Sequence, residues 1–370
     1  MQKGRVRNMF PGGNTSKGFF SRFEYIMRQE EANRIFILKG GPGVGKSTFM
    51  KNISDILTDR GYDMEHMHCS SDSKSLDGIV IPELGAALLD GTAPHVTDPG
   101  TPGAVDEIVN LGEYWDEAAL KANRTAIIGL KNEISGYFQR AYRYLGAAAH
   151  IYEDNAVMYR AAMDKTRPRF IAWEFTNMLF DIHPPAGKMG HQRCMFASAV
   201  TPDGFVNYLD DLMTLDNIYV FEGFPGSCTE DVLETIKTAA LERGFDVEAF
   251  YCAFDPFKLE HLILPELNTA FSTIGRYHAT DACAVKKVDF REFLDDNIIG
   301  KYRSELEYND NEFDKLLNKA VEMIHNAKQL HDELEAFYIP HMDFDGIKKK
   351  QEEITQKILD YAGGDNAKNP

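Results

Sequence analysis

The chain has no long apolar run. None of its hydrophobic stretches reaches the roughly 18 residues that a membrane-spanning helix needs, so no contact with a membrane interior is expected. The basic start Met1-Gln2-Lys3-Gly4-Arg5-Val6-Arg7 is not followed by the apolar core of a secretory leader. Cysteine is scarce: Cys69, Cys194, Cys228, Cys252 and Cys283 are the five in 370 residues. They are odd in number and scattered, without the close spacing of a zinc site. Reduced thiols in a cytoplasmic protein are the simplest expectation. Cations are also short, 40 Lys and Arg against 57 Asp and Glu, for a net charge of −17. That balance argues against nonspecific adhesion to nucleic acid or an anionic membrane. Arg160, Lys165, Arg167 and Arg169 gather locally, the pattern of a solvated helix end. The length suits about two domains.

Against these absences stands one dense motif, Gly40-Gly41-Pro42-Gly43-Val44-Gly45-Lys46-Ser47-Thr48. It satisfies the phosphate-binding pattern G-x-x-x-x-G-K-[ST]. The apolar run Arg34–Lys39 before it has strand length. The segment Ser47–Leu57 after it has helical spacing, so strand, glycine loop and helix follow in the required order. Glycines let successive backbone N–H groups converge on one centre without side chains blocking a phosphate. The helix N-terminus adds unpaired donors and partial positive charge. Gly41, Pro42, Gly43, Val44, Gly45, Lys46, Ser47 and Thr48 are therefore the expected nucleotide-binding residues. Lys46 is placed to reach the β- and γ-phosphates and the Ser47 hydroxyl to hold Mg²⁺.

The chain also contains itself twice. Arg7-Asn8-Met9-Phe10 returns as Arg193-Cys194-Met195-Phe196, and Ile35–Gly43 returns as Ile218–Gly226. The shift is 223 − 40 = 183 residues. It aligns Gly61 with Gly244, Cys69 with Cys252, Asp72 with Asp255, Pro82-Glu83-Leu84 with Pro265-Glu266-Leu267, His95 with His278, and Asp98 with Asp281. Two copies of one α/β domain are expected, residues 1–183 and 191–370, joined near Pro184-Pro185-Ala186-Gly187. Each copy ends in a helical pattern. Ile134, Phe138, Ala141, Leu145, Ala148 and Tyr152 share one face; Leu317, Val321, Ile324, Ala327, Leu330, Leu334 and Phe337 share another. Both patterns continue through a break, at Pro340 in the second copy, to a returning helix with Ile354, Ile358 and Tyr361. A helical hairpin projecting from each core is the expected form, with these faces as core. Gly363 to Pro370 reads as a frayed tail.

The copies differ where chemistry is concentrated. Gly45, Lys46, Ser47 and Thr48 become Cys228, Thr229, Glu230 and Asp231, which places carboxylates where a polyphosphate would sit. Gly223, Pro225 and Gly226 are then expected to keep a turn for structural reasons. Ala86-Ala87-Leu88-Leu89-Asp90 reads as a buried strand ending in an acid that could hold Mg²⁺, directly or through water. Its counterpart is Thr273, so the acid disappears in the copy that lost its lysine. Asp72 could stand at the end of the second strand as a base or water-positioning group, or as a structural Asp at a turn. Glu83, His95 and Asp98 persist in both copies, which suits a structural or shared role. Lys17, which becomes Asp203, is a further possible phosphate contact or a surface lysine.

On Gly12–Phe19, the loop Gly40–Thr48, Leu89–His95, Pro102–Asp106 and Leu111–Trp115, the chain resembles a family of bacterial tandem P-loop ATPases. The resemblance covers nearly the whole chain. It implies ATP binding and a nucleotide-kinase-like P-loop fold, with the second loop degenerate here. The expected architecture is two tandem α/β P-loop domains with mostly parallel central sheets, each carrying a long helical hairpin. The first is expected to bind Mg-ATP and hydrolyse it, with Lys46, Asp90 and Asp72 as catalytic candidates and Ser47 and Asp90 as Mg²⁺ ligands. The second is expected to be structural or regulatory. Alternatives are a small-molecule or nucleotide kinase and a nucleotide-responsive binding protein with negligible turnover. Arg140, Arg143, Arg160, Arg167 and Arg169 are available as arginine fingers without a way to choose among them.

Overall fold

The computed structural model describes residues 2–93 and 96–363. The first repeat runs β1 (Val6–Met9), β2 (Gly12–Thr15), β3 (Gly18–Ser21), β4 (Arg34–Lys39), α1 (Lys46–Asp59), β5 (Met64–Cys69), β6 (Asp72–Ile81), β7 (Ala86–Asp90), β8 (Asp106–Asn110), α2 (Glu117–Ala122), α3 (Arg124–Ala162) and α4 (Thr166–Phe180). The second runs β9 (Gln192–Phe196), β10 (Ser198–Thr201), β11 (Gly204–Asn207), α5 (Leu209–Leu212), β12 (Asn217–Glu222), α6 (Thr229–Glu242), β13 (Val247–Tyr251), β14 (Leu259–Leu264), β15 (Thr269–Ile274), β16 (Lys286–Asp289), α7 (Asp296–Ile299), α8 (Arg303–Glu335) and α9 (Phe344–Gly363).

Each repeat builds one six-stranded sheet, in the order β1-β5-β6-β7-β4-β8 and in the matching order β9-β13-β14-β15-β12-β16. The sheets are mixed and mostly parallel. β6 runs antiparallel to β5 and β7, and β14 antiparallel to β13 and β15. Only Ser70 and Ser71 join β5 to β6, and so short a connection can only turn a strand back on itself. Asp72 therefore opens β6 and does not close the second strand of the sheet. The central strands read as continuous apolar runs because both of their faces are buried. Ile35, Phe36, Ile37 and Leu38 of β4 are all buried, as are Ile218, Tyr219, Val220 and Phe221 of β12.

By packing, the chain divides into two compact units that do not coincide with the two repeats. One comprises the chain through Pro11, Ser21–Phe138 and the segment from His325 onward; the other comprises Gly12–Phe20 and Gln139–Ile324. The boundary near Pro184 separates the repeats in sequence, but each compact unit takes its covering helix from the other repeat. Helix α3 has no internal break over 39 residues, so its C-terminal part cannot fold back on the sheet that precedes it.

In the first unit, α9 supplies Ile347, Ile354 and Ile358 to the core formed by Phe36, Leu38, Phe49, Met50, Ile53 and Leu57. In the second unit, α4 packs on α6, and Phe175 meets the rings of Tyr219, Phe221 and Phe271 at 4.9–5.6 Å. Of the two helical stripes expected to be core, Ala141, Leu145 and Ala148 are buried in α3, and Leu317, Ile324, Ala327 and Leu334 in α8. His95 and residues 364–370 of the expected tail lie outside the described residues.

Because Ile354 is fully buried, Ile354→Ala is expected to cost about 2–5 kcal/mol. The cost would appear in urea unfolding followed by hydrogen exchange of the α1 amides. Unchanged protection of α1 would contradict the assignment of α9 to this core.

Candidate functional site

The loop between β4 and α1 has the backbone that its glycines permit. Gly43 has φ 69° and Gly45 φ 85°, a region that residues with a Cβ rarely occupy. Gly45 caps α1, and no side chain caps that helix. Helix α1 thus presents its first-turn amides at the loop. Lys46 folds back over the loop, donating from Nζ to the carbonyls of Gly41 at 2.9 Å and Gly40 at 3.2 Å. The same Nζ is 3.6 Å from Asp90 Oδ2, with both side chains largely buried. Parallel pairing of β4 with β7 sets Leu38 beside Asp90. The strand-ending acid is thereby held next to the loop lysine. Asp90 Oδ1 also accepts from the Thr92 amide at 2.8 Å and from the Thr92 hydroxyl.

The other sequence candidates separate. Ser47 Oγ accepts from the Leu76 amide at 3.0 Å, which ties the start of α1 to β6. Asp72 accepts from the Lys74 amide and the Ser75 hydroxyl in a turn, and its Oδ2 is 3.6 Å from Lys328 Nζ. Asp98 pairs with Lys39 at the surface. Lys17 lies in the β2–β3 turn, where its amide donates to Thr15 Oγ1, and belongs to the second unit. Arg140, Arg143, Arg160, Arg167 and Arg169 also fall in the second unit.

Two acids that the motif reading missed complete the loop's surroundings. Asp77 of β6 is buried, and burial together with the negative charge of Asp90 pushes its carboxyl from 3.8 up to about 8; the Cys69 thiol and Lys46 act in the opposite direction. The repeat register carried a signal for it, since 77 + 183 is Glu260, another acid. Glu335, at the end of α8, has no such signal. Its Oε1 accepts from the Gly43 amide at 3.1 Å. A carboxylate from the helical arm thus takes a donor that the loop would offer to a phosphate. The arm also covers the glycines. A Cβ on Gly41 would meet Tyr338 at 2.9 Å, and one on Gly43 would meet Ile339 at 3.1 Å.

The second unit repeats this geometry with different chemistry. A Cβ on Gly226 would meet the Ala156 carbonyl of α3 at 2.4 Å. Ala156 and Ile339 stand 339 − 156 = 183 residues apart, the repeat shift. Each loop is therefore covered by the equivalent segment of the other repeat's arm. Cys228, at Gly45's place, is held at φ 63°. Buried Thr229, at Lys46's place, sits 3.2 Å from Ser227 Oγ. Glu230 and Asp231 share a cavity with Arg160, Lys165 and Arg169, so carboxylates within the helix face the cations that an anion would otherwise meet. Of the basic cluster expected to be a solvated helix end, Arg160, Lys165 and Arg169 line this cavity, while Arg167 lies over the Phe293 ring.

No protein-family model matches the chain, and no curated protein or solved structure matches it.

The raised carboxyl of Asp77 gives a signed pH effect. The unfolded chain ionises this group near 4 and the folded chain only near 8, so the folded state binds the extra proton between them and stability falls as pH rises through that window. Asp77→Asn should raise the unfolding midpoint at pH 8 and leave it little changed at pH 4. Equal effects at both pH values would show that Asp77 is not held protonated.

Proposed function

We propose that the first unit binds Mg-ATP at Gly40–Thr48 and hydrolyses it. The observation that carries this reading is the pairing of Lys46 with Asp90, 3.6 Å apart, at a loop whose Gly43 and Gly45 adopt positive φ. A lysine placed over the loop and an acid beside it are the charges that polyphosphate and its cation require. The loop amides and the first turn of α1 would hold the β-phosphate, and Lys46 would swing from the Gly40 and Gly41 carbonyls to the γ-phosphate.

Mg²⁺ would sit between the Ser47 hydroxyl and Asp90, an oxygen donor set that suits a hard cation. It would neutralise charge on the β- and γ-phosphates. Hydrolysis adds one water to the γ-phosphorus and releases ADP and inorganic phosphate. Positioning and electrostatic stabilisation would supply the rate enhancement. Protonated Asp77 could donate a hydrogen bond towards this site but could not take a proton from water at neutral pH.

A second reading, a nucleotide-responsive switch, is favoured by one contact. Glu335 and a γ-phosphate would compete for the Gly43 amide. Entry of polyphosphate would expel Glu335, and with it the Tyr338–Ile339 segment that lies over Gly41 and Gly43. Nucleotide binding would then alter how α8 and α9 seat on this unit, whether or not turnover follows.

Two measurements test these readings. Lys46→Ala should reduce phosphate release from Mg-ATP by at least about 100-fold, the scale of losing one charged transition-state contact. Unchanged binding and turnover in that variant would sink the proposal; ATP binding without phosphate release by the wild type would leave the switch reading standing. Glu335→Gln, which weakens the competing acceptor, should tighten ATP binding about tenfold, the scale of one charge-assisted hydrogen bond. Unaltered affinity by calorimetry would mean that the carboxylate does not compete with nucleotide.

A further inference from the structure

The second unit contains a buried cluster for which the degenerate loop has no use. Cys252 follows β13, Glu260 lies on β14 and His278 follows β15. These residues are 1%, 3% and 8% exposed, and one ligand-type atom from each lies within 4.8 Å of the others. Glu260 Oε2 is 2.9 Å from His278 Nε2, yet it has no aligned hydrogen-bond donor. Ligand atoms that share one four-coordinate zinc ion at 2.0–2.3 Å stand roughly 3.3–3.6 Å apart. The present spacing therefore needs only small side-chain movements to accept an ion.

The outer contacts suit the same role. His278 Nδ1 is 3.3 Å from the buried Ser198 Oγ. Donation from Nδ1 to that hydroxyl would leave the Nε2 lone pair directed at Glu260, the tautomer a metal ligand needs. Glu260 Oε1 is 3.5 Å from Lys258 Nζ, which in turn donates to Tyr152 Oη at 2.9 Å.

A cavity of about 180 Å³ opens over Glu260, His278 and Lys258. Two further groups on its wall, Thr273 Oγ1 and Asn155 Oδ1, are buried without hydrogen-bond partners. Buried polar atoms are rarely left so, and both would be satisfied by a polar molecule in the cavity. The repeat register puts Cys69, Asp77 and His95 at the same three positions in the first copy. There the Cys69 thiol is hydrogen-bonded to Asp77, and His95 lies outside the described residues.

We propose that Cys252, Glu260 and His278 form a transition-metal site that takes Zn²⁺, with an open coordination position facing the cavity. A thiolate, an imidazole and a carboxylate are the donor set of borderline-soft zinc. Binding is balanced by loss of the Cys252 thiol proton, while the His278 proton sits on Nδ1. The loaded site then carries Zn²⁺, Lys258 and two anions, a formal charge of +1. The fourth position therefore favours hydroxide or an anionic small molecule, for which Thr273 and Asn155 offer further contacts. The scattered cysteine spacing concealed this arrangement, because the three ligands come from three separate strand ends.

The test uses the full chain, stripped with a chelator under a non-thiol reductant and titrated with Co²⁺. One tightly bound Co²⁺ with a near-ultraviolet thiolate-to-metal charge-transfer band is expected, together with the visible bands of four-coordinate Co²⁺. Zn²⁺ should displace it. Cys252→Ser should abolish the charge-transfer band, and His278→Gln should weaken binding by at least about 100-fold. Cys69→Ser and Cys283→Ser should leave the band intact. The partly exposed His331–Asp332–Glu335 group contains no sulfur and cannot produce it. Lys46→Ala should bind Co²⁺ as the wild type does, which separates this inference from the nucleotide proposal. No charge-transfer band in the wild type would overturn the site. So would a band that survives Cys252→Ser and His278→Gln in variants whose circular dichroism matches the wild type.

Discussion

Each sheet in this protein is completed by a helix that arrives from the other repeat, and most of the remaining structure depends on that exchange. In the first unit α1 and the sheet leave apolar surface that Ile347, Ile354 and Ile358 of α9 bury. In the second, α4 brings Phe175 onto Tyr219, Phe221 and Phe271. Neither sheet has its full apolar cover without the partner arm, and buried apolar area is the main favourable term in folding. The arms also lie against the two glycine loops, Tyr338 and Ile339 on one and the Ala156 turn of α3 on the other. Close approach of the covering arm thus requires glycine at 41, 43 and 226.

Charge separates two loops that share a backbone. Each loop has protein carboxylates near it, but they differ in attachment. Glu230 and Asp231 belong to the first turn of α6 itself and cannot leave without unwinding it. Glu335 reaches Gly43 from the end of α8, just before the chain breaks at Tyr338 to His341 and resumes as α9. A short irregular segment can move at lower cost than a helical turn. Arg160, Lys165 and Arg169 face the fixed acids, whereas Lys46 keeps Asp90 as its partner.

The Cys–acid–His pattern recurs in the sequence of both copies and so lies outside this division. In the second copy the acid and the histidine line a cavity with unsatisfied polar atoms. In the first, Asp77 interacts with Cys69, Asp90 and Lys46, and so also bears on the glycine loop. One topological position has thus been given different electrostatic surroundings by substitutions only a strand away, Thr273 for Asp90 and Thr229 for Lys46.

The sequence by itself determined the local features. The strand, glycine loop and helix at Arg34–Asp59, the acid closing Ala86–Asp90, the 183-residue repeat and the two helical stripes all follow from short-range pattern, and short-range pattern is governed by backbone freedom and hydrophobic period. Tertiary structure decided which elements meet. The antiparallel β6 and β14, the exchange of arms, the Glu335 carboxylate on Gly43 and the convergence of Cys252, Glu260 and His278 join residues whose separation in the chain carries no period or motif. Such contacts are set by which apolar faces can bury one another in three dimensions. A charge 292 residues from Gly43 therefore reaches the loop only because packing delivers it there.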